Sequence, residues 1–121
     1  MSPEPSRLPR FPAQALLAHP EHLSVRLTVN AWYQFCQIHL QWDPTASAEA
    51  LFSLLERAFK RAKKGAGVGD AGRKRLTERY GEAAWFGGGK KTAGVVFIVL
   101  PSHDFPQFAL VRCYDARSVR R

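Results

Sequence analysis

What the chain has least of sets the first limits. No apolar run is longer than Val95–Leu100, far below the roughly 20 residues that a membrane-spanning helix requires. The stretch after Met1 is proline-rich and has no hydrophobic segment of signal-peptide type, so a cytoplasmic protein without membrane association is expected. Cysteine occurs only at Cys36 and Cys113, too few for a disulfide framework and in keeping with a reducing compartment. Both read as small core residues. The histidines His19, His22, His39 and His103 have no zinc-like spacing with those cysteines, and no metal or other cofactor is expected. Acids are also scarce, ten Asp and Glu in 121 residues and scattered, whereas a metal-dependent nuclease needs them clustered. No G-x-S-x-G nucleophile elbow occurs, and no internal repeat.

What is present in excess is positive charge. Eighteen Lys and Arg leave a net +8, and the surplus is concentrated. Between Arg57 and Lys91 lie eleven basic residues against Asp70, Glu78 and Glu82, which already gives +8. The rest of the chain holds seven of each sign and sums to zero. A concentrated patch attracts polyanions, with counterion release as the driving term. RNA or DNA is therefore the expected partner. Phosphate contact is assigned to Arg57, Lys60, Arg61, Lys64, Arg73, Lys74, Arg75, Lys90 and Lys91.

With 45% apolar residues and 12% aromatics the chain can bury a core, and its length suits one domain. Residues 1–20 are expected to form an extended proline-rich arm, 21–116 a single α+β domain and 117–121 a basic tail. Within the arm, Ala13–Ala18 is expected to make one or two helical turns. Leu23–Val29 alternates apolar and polar residues as a half-buried strand does. Asn30 is the expected cap of a helix to about Gln41, with Trp32, Phe35, Cys36 and His39 along one side. Asp43-Pro44 is the expected start of a second helix reaching about Lys64. Its apolar stripe is Leu51, Leu54, Leu55, Ala58, Phe59 and Ala62, opposite Arg57, Lys60, Arg61 and Lys64.

Gly65–Gly72 reads as a flexible loop, and Arg73–Tyr80 as a short basic helix ended by Gly81. Three strands are expected to follow: Ala83–Phe86, Ala93–Leu100 and Phe108–Tyr114. The continuous apolar run of the second fits a central strand covered on both faces. Strict alternation in the third places Phe108, Leu110, Arg112 and Tyr114 on one face. The predicted fold is α+β, two or three helices packed on a small antiparallel sheet with a C-terminal meander.

Gly67-Val68-Gly69-Asp70-Ala71-Gly72 spells G-x-G-x-x-G, but a helix precedes it where a dinucleotide site needs a strand. Read on to Arg73 and Lys74 it nearly spells a P-loop, with Arg in the lysine position and Lys in the magnesium-binding one. A glycine-rich hinge whose amides can approach a phosphate is the better reading. Metal-independent RNA cleavage needs less than these motifs: cations to stabilise the phosphorane and Tyr, His or Lys to move protons. Arg79, Tyr80, Arg112 and Tyr114 are the catalytic candidates, with His103 beside Asp104 in reserve. The simpler account of Arg112 is a sheet-edge cation with a packed stem.

The helix ending Leu54-Leu55-Glu56-Arg57-Ala58, the Arg79-Tyr80-Gly81 connection and the strands Val95–Val99 and Ala109–Tyr114 together resemble the RelE/ParE-type small toxins. The resemblance covers about Leu23 to Asp115 and is one of layout. Related phage and plasmid proteins of that general shape often begin with a Thr-x-His-Ala stretch before the first helix; here Thr28-Val29-Asn30-Ala31 puts Asn30 where the His would be. RelE-like members cleave messenger RNA on the ribosome and ParE-like members bind gyrase, so the resemblance implies either activity. The expected function is a nucleic-acid-binding protein of bacterial, plasmid or phage type, with RelE-like endoribonuclease activity as its enzymatic form. The alternative is a non-catalytic protein that docks its basic face on an acidic protein partner such as a polymerase, gyrase or nuclease.

Overall fold

The computed structural model describes residues 9–13, 15–22, 24–41 and 43–119. Its centre is the apolar run foreseen from sequence. Strand β5 (Val95–Pro101) buries Val95, Val96, Phe97, Ile98 and Val99 completely or nearly so. Such a strand requires cover on both faces, and it has it. Helices α1 (Val29–Leu40) and α2 (Ala48–Arg61) pack on one face. Helix α3 (Gly69–Tyr80) and the short α4 (Ala116–Val119) cover the other. The helices therefore form layers on both sides of the sheet, as the cover expected on both faces of the apolar strand requires.

Six strands make the sheet among the described residues, in the order β1-β2-β6-β5-β4-β3. These are β1 (Leu16–Leu17), β2 (Val25–Leu27), β3 (Lys63–Lys64), β4 (Trp85–Gly88), β5 and β6 (Phe108–Asp115). β4, β5 and β6 form the expected antiparallel meander, while β2 runs parallel to β6. The α+β class holds, in a larger and mixed sheet.

Each boundary that differs from expectation has a local cause. Ala13–Ala18 makes no helical turn; Leu16 and Leu17 pair with Arg26 and Val25, and Leu17 is buried. The arm expected at 1–20 thus contributes a strand, its first eight residues lying outside the described ones. Pro9 also joins the body by accepting a hydrogen bond from the Trp32 indole at 3.1 Å. The predicted first strand shortens to Val25–Leu27, and Leu23 lies outside the described residues. Thr28, and not Asn30, caps α1: its hydroxyl accepts from Ala31 N and donates to the carbonyl of Leu110. That second bond ties the helix start to β6. Ser47 caps α2 by accepting from Ala50 N, while Asp43 accepts from the amide and hydroxyl of Thr45 in a turn of its own. The helix stops at Arg61, and Lys63–Lys64 leave it as β3. The glycine-rich segment is only partly a loop, because α3 already begins at Gly69. The expected 117–121 tail begins inside α4, where Val119 is buried.

Two packing details position the rest. Gly87 lies against the backbone of Lys63, so closely that a Cβ would overlap the Lys63 carbonyl; only glycine lets β3 reach β4 here. In β6, Ile98 faces Arg112 but Val99 faces Leu110, leaving Val111 as an extra residue. This β-bulge shifts the phase of the strand. Phe108 and Leu110 pack with α1 and α2, whereas Tyr114 packs with α3. The four residues expected on one face are split between two.

Candidate nucleic-acid interface

Helix α2 buries Leu51, Leu55, Ala58 and Phe59, so Arg57, Lys60 and Arg61 project outward from the first helical layer. Arg57, Lys60 and Arg61 line a cleft of about 340 Å³ with Ser53 and Glu56. Helix α3 buries Gly72 and Leu76, which turns Arg73, Lys74 and Arg75 outward from the opposite layer. The basic residues expected to form one patch therefore sit on opposite sides of the sheet. Edge strand β3 joins the two sets with Lys63 and Lys64, both exposed. Lys90 and Lys91 are exposed in the β4–β5 turn, whose Gly89 lies against Gly67 of the β3–α3 turn. These ten cations, the nine expected ones and Lys63, thus form a belt that wraps the β3 edge.

Among the described residues the belt is electrostatically open. The ion pair formed there is Arg117–Asp115 at 2.9 Å, and no belt residue takes part in it. Arg75 is the most constrained member, donating a hydrogen bond to the carbonyl of Val119 at 2.5 Å. Lys63 belongs to the belt but was not singled out from sequence, since a two-residue edge strand has no periodicity to announce it.

Four of the five catalytic candidates come together on the α3 side of the sheet. Tyr80, at the end of α3, and Tyr114, on β6, share a hydrogen bond of 2.6 Å between hydroxyls. The Arg112 guanidinium lies 5.2 Å from the centre of the Tyr114 ring, and that of Arg79 lies 5.7 Å from the Tyr80 ring. Arg112 is not a sheet-edge residue, because β6 runs between β2 and β5. Its Nε is buried without a hydrogen-bond partner among the described residues. Burial, then the bond to Tyr114, holds the Tyr80 hydroxyl above the usual tyrosine range despite the pull of Arg112 and Arg79. At neutral pH Tyr80 is a proton donor and a poor base. Arg26 of β2, opposite Ala109 in register, adds an exposed cation to the same face. His103 is not brought to this cluster; it is exposed in the β5–β6 connection, beyond the Pro101–Phe108 pair.

The other histidines serve packing. His19 and His22 are buried, in contact with Trp85, Phe59 and Phe108. His19 Nε2 donates to the Ala62 carbonyl at 2.8 Å while its Nδ1 accepts from Glu21 N at 3.0 Å. Both nitrogens of His22 are buried without partners among the described residues, and burial, with His19 and Lys64 nearby, lowers its pKa against the opposing Glu21. His39 is half-buried against Phe35, and burial lowers its pKa as well. Cys36 and Cys113 are free and buried, as expected, and burial pushes the Cys36 thiol up to about 12. No group of three or more metal-binding side chains forms among the described residues. None of their helices is long and apolar enough to cross a membrane. Comparison with protein-family models, curated proteins and solved structures finds no match.

Proposed function

We propose that this protein binds nucleic acid, with RNA as the leading ligand, through phosphates laid along the basic belt. The observation that carries the proposal is the belt itself: ten exposed cations around one sheet edge, none of them in an ion pair among the described residues. Helix-dipole complementarity accounts for Lys60 and Arg61 at the end of α2, but not for the cations of β3 or the first turns of α3. Unpaired cations on an ordered scaffold release counterions from a polyphosphate at little reorganisation cost. Two free thiols accord with a cytoplasmic location.

The test is binding of nuclease-treated protein to single-stranded RNA and DNA at low salt. Replacing Arg57, Lys60, Arg61 and Lys64 by Glu should nearly abolish affinity while leaving thermal stability similar, since these side chains are exposed. Salt-independent affinity, or none at low salt, would move the belt to an acidic protein surface. A pull-down with and without nuclease would reveal that partner.

A second reading, RelE-like endoribonuclease activity, is favoured by the hydrogen-bonded Tyr80–Tyr114 pair beside Arg112. In that chemistry a ribose 2′-oxygen attacks the phosphorus as the 5′-oxygen departs. Arg112 would stabilise the phosphorane charge, and a tyrosine hydroxyl would protonate the leaving oxygen. The cluster offers an acid and a cation but no group that is basic at neutral pH, which is why binding comes first.

A further inference from the structure

We infer that the cleft between β3, α3 and the start of β4 is a pocket for an unpaired guanine of a bound strand, an inference that rests on the nucleic-acid reading above. The cleft has a volume of about 380 Å³ and is lined by Lys64, Arg73, Thr77, Glu82 and Phe86, with Gly65 in its wall. That volume falls in the range of small-ligand sites. Its floor is apolar and aromatic: Ala84 and Phe86 are only 7% and 8% exposed. Two exposed cations of the belt, Lys64 and Arg73, stand at its rim. The Arg73 guanidinium passes close to Gly65, which has φ of 77° and no Cβ; an added Cβ would lie 3.0 Å from the Arg73 Nη2.

Glu82 is what turns a phosphate cleft into a base pocket. A carboxylate in the wall disfavours a phosphate beside it and favours a hydrogen-bond donor. It accepts hydrogen bonds and donates none. Guanine is the base whose pairing edge presents two adjacent donors, N1–H and the N2 amino group, which match the two oxygens of a carboxylate. Adenine and uracil place an acceptor at that edge, and cytosine offers a single amino donor. Because a paired guanine has that edge occupied, the strand must be unpaired there, with the base lying on the apolar floor and stacking as extruded bases do. Lys64 and Arg73 then hold the flanking phosphates, so that the cleft reads a base where the belt reads only backbone.

The test uses the full chain, guanosine 5′-monophosphate as the small probe, and short single-stranded RNAs that differ in one base. Guanine-containing RNA should bind about tenfold tighter than its adenine counterpart, the scale of one good two-bond base contact. Guanosine monophosphate should compete and adenosine monophosphate should not. Glu82→Gln, at an exposed position, should lower the affinity for guanine-containing RNA about tenfold, to the level of its adenine counterpart; Arg73→Gln should weaken both RNAs alike. RNA that binds without base preference, or with a preference that survives Glu82→Gln, overturns the pocket and leaves the belt standing. Absence of RNA binding at low salt overturns the belt and the pocket together.

Discussion

If one strand wraps the β3 edge, cations on opposite faces of the sheet must act on the same ligand. Neutralising them separately isolates that geometry. Arg57, Lys60 and Arg61 belong to α2, and Arg73 and Lys74 to α3. For a single strand, each neutralised phosphate contributes about 0.7 to the slope of log affinity against log salt. Replacing the three α2 cations by Gln should therefore flatten the slope by about 2, and replacing the two on α3 by about 1.4. With the sheet between them the sets share no partner, so the combined variant should approach the sum, about 3.5. All five side chains are exposed, so the folding free energy should move by no more than about 0.5 kcal/mol per site. The assay is fluorescence anisotropy of a labelled oligonucleotide over a salt series, with thermal melts on the same samples. A slope that responds to one set alone refutes the wrapping; a slope that responds to neither refutes the belt.

Four further outcomes are expected. Burial lowers the pKa of His22 and His39 below the unfolded value of 6.5, so their stability contribution is complete above that pH. It should fall as pH drops towards the folded-state values, by about 1.4 kcal/mol for every tenfold difference in proton affinity between the folded and unfolded chain. His22→Phe, which sacrifices no hydrogen bond of that ring, should flatten the pH dependence measured by urea titration; an unchanged profile refutes the assignment. Gly87→Ala should cost at least about 2 kcal/mol in chemical denaturation, because the new methyl overlaps the Lys63 carbonyl. Tyr80→Phe and Tyr114→Phe should each cost about 1 kcal/mol, and the double variant less than their sum, since either change breaks the shared 2.6 Å bond. If RNA is cleaved, the activity should survive EDTA and leave 2′,3′-cyclic or 3′-phosphate ends; Arg112→Ala should then slow it by about a hundredfold or more with binding retained. Intact RNA, even with ribosomes present, would rule out the enzymatic reading.

The elements legible in the sequence are those whose pattern is long enough to be periodic. The stripe from Leu51 to Phe59 and the run from Val95 to Leu100 each commit many residues to one environment, and both stand where the pattern put them. The unforeseen elements are the two-residue strands β1 and β3, which exist through their partners. Leu16–Leu17 is extended because Val25–Leu27 lies beside it, and Lys63–Lys64 because Gly87 admits them. Helix starts were misplaced for another reason. Asp43 has the chemistry of a cap and uses it, but on Thr45 within a turn. Composition identifies a capping group without saying which amide it will meet.

The same limit governs the candidate site. Closeness along the chain placed the cations of α2 and α3 in one patch, yet the sheet that α2 and α3 share as a core divides them. What reunites them is β3, the element without a pattern. In β6, strict alternation put Arg112 beside Leu110, on the face that α1 and α2 fill with apolar side chains. There the guanidinium would lie in hydrocarbon without a counter-ion, at a cost of several kcal/mol in the absence of a partner. The bulge at Val111 removes that conflict by turning Arg112 to the α3 side, where the Tyr114 ring supports it. The turn also leaves the Arg112 Nε without a hydrogen-bond acceptor among the described residues. A fold that needed this charge for stability alone would have met it with a carboxylate. Arginine held instead against the Tyr114 ring, its Nε buried and short of an acceptor among the described residues, is the member of this cluster whose substitution tests the enzymatic proposal most directly.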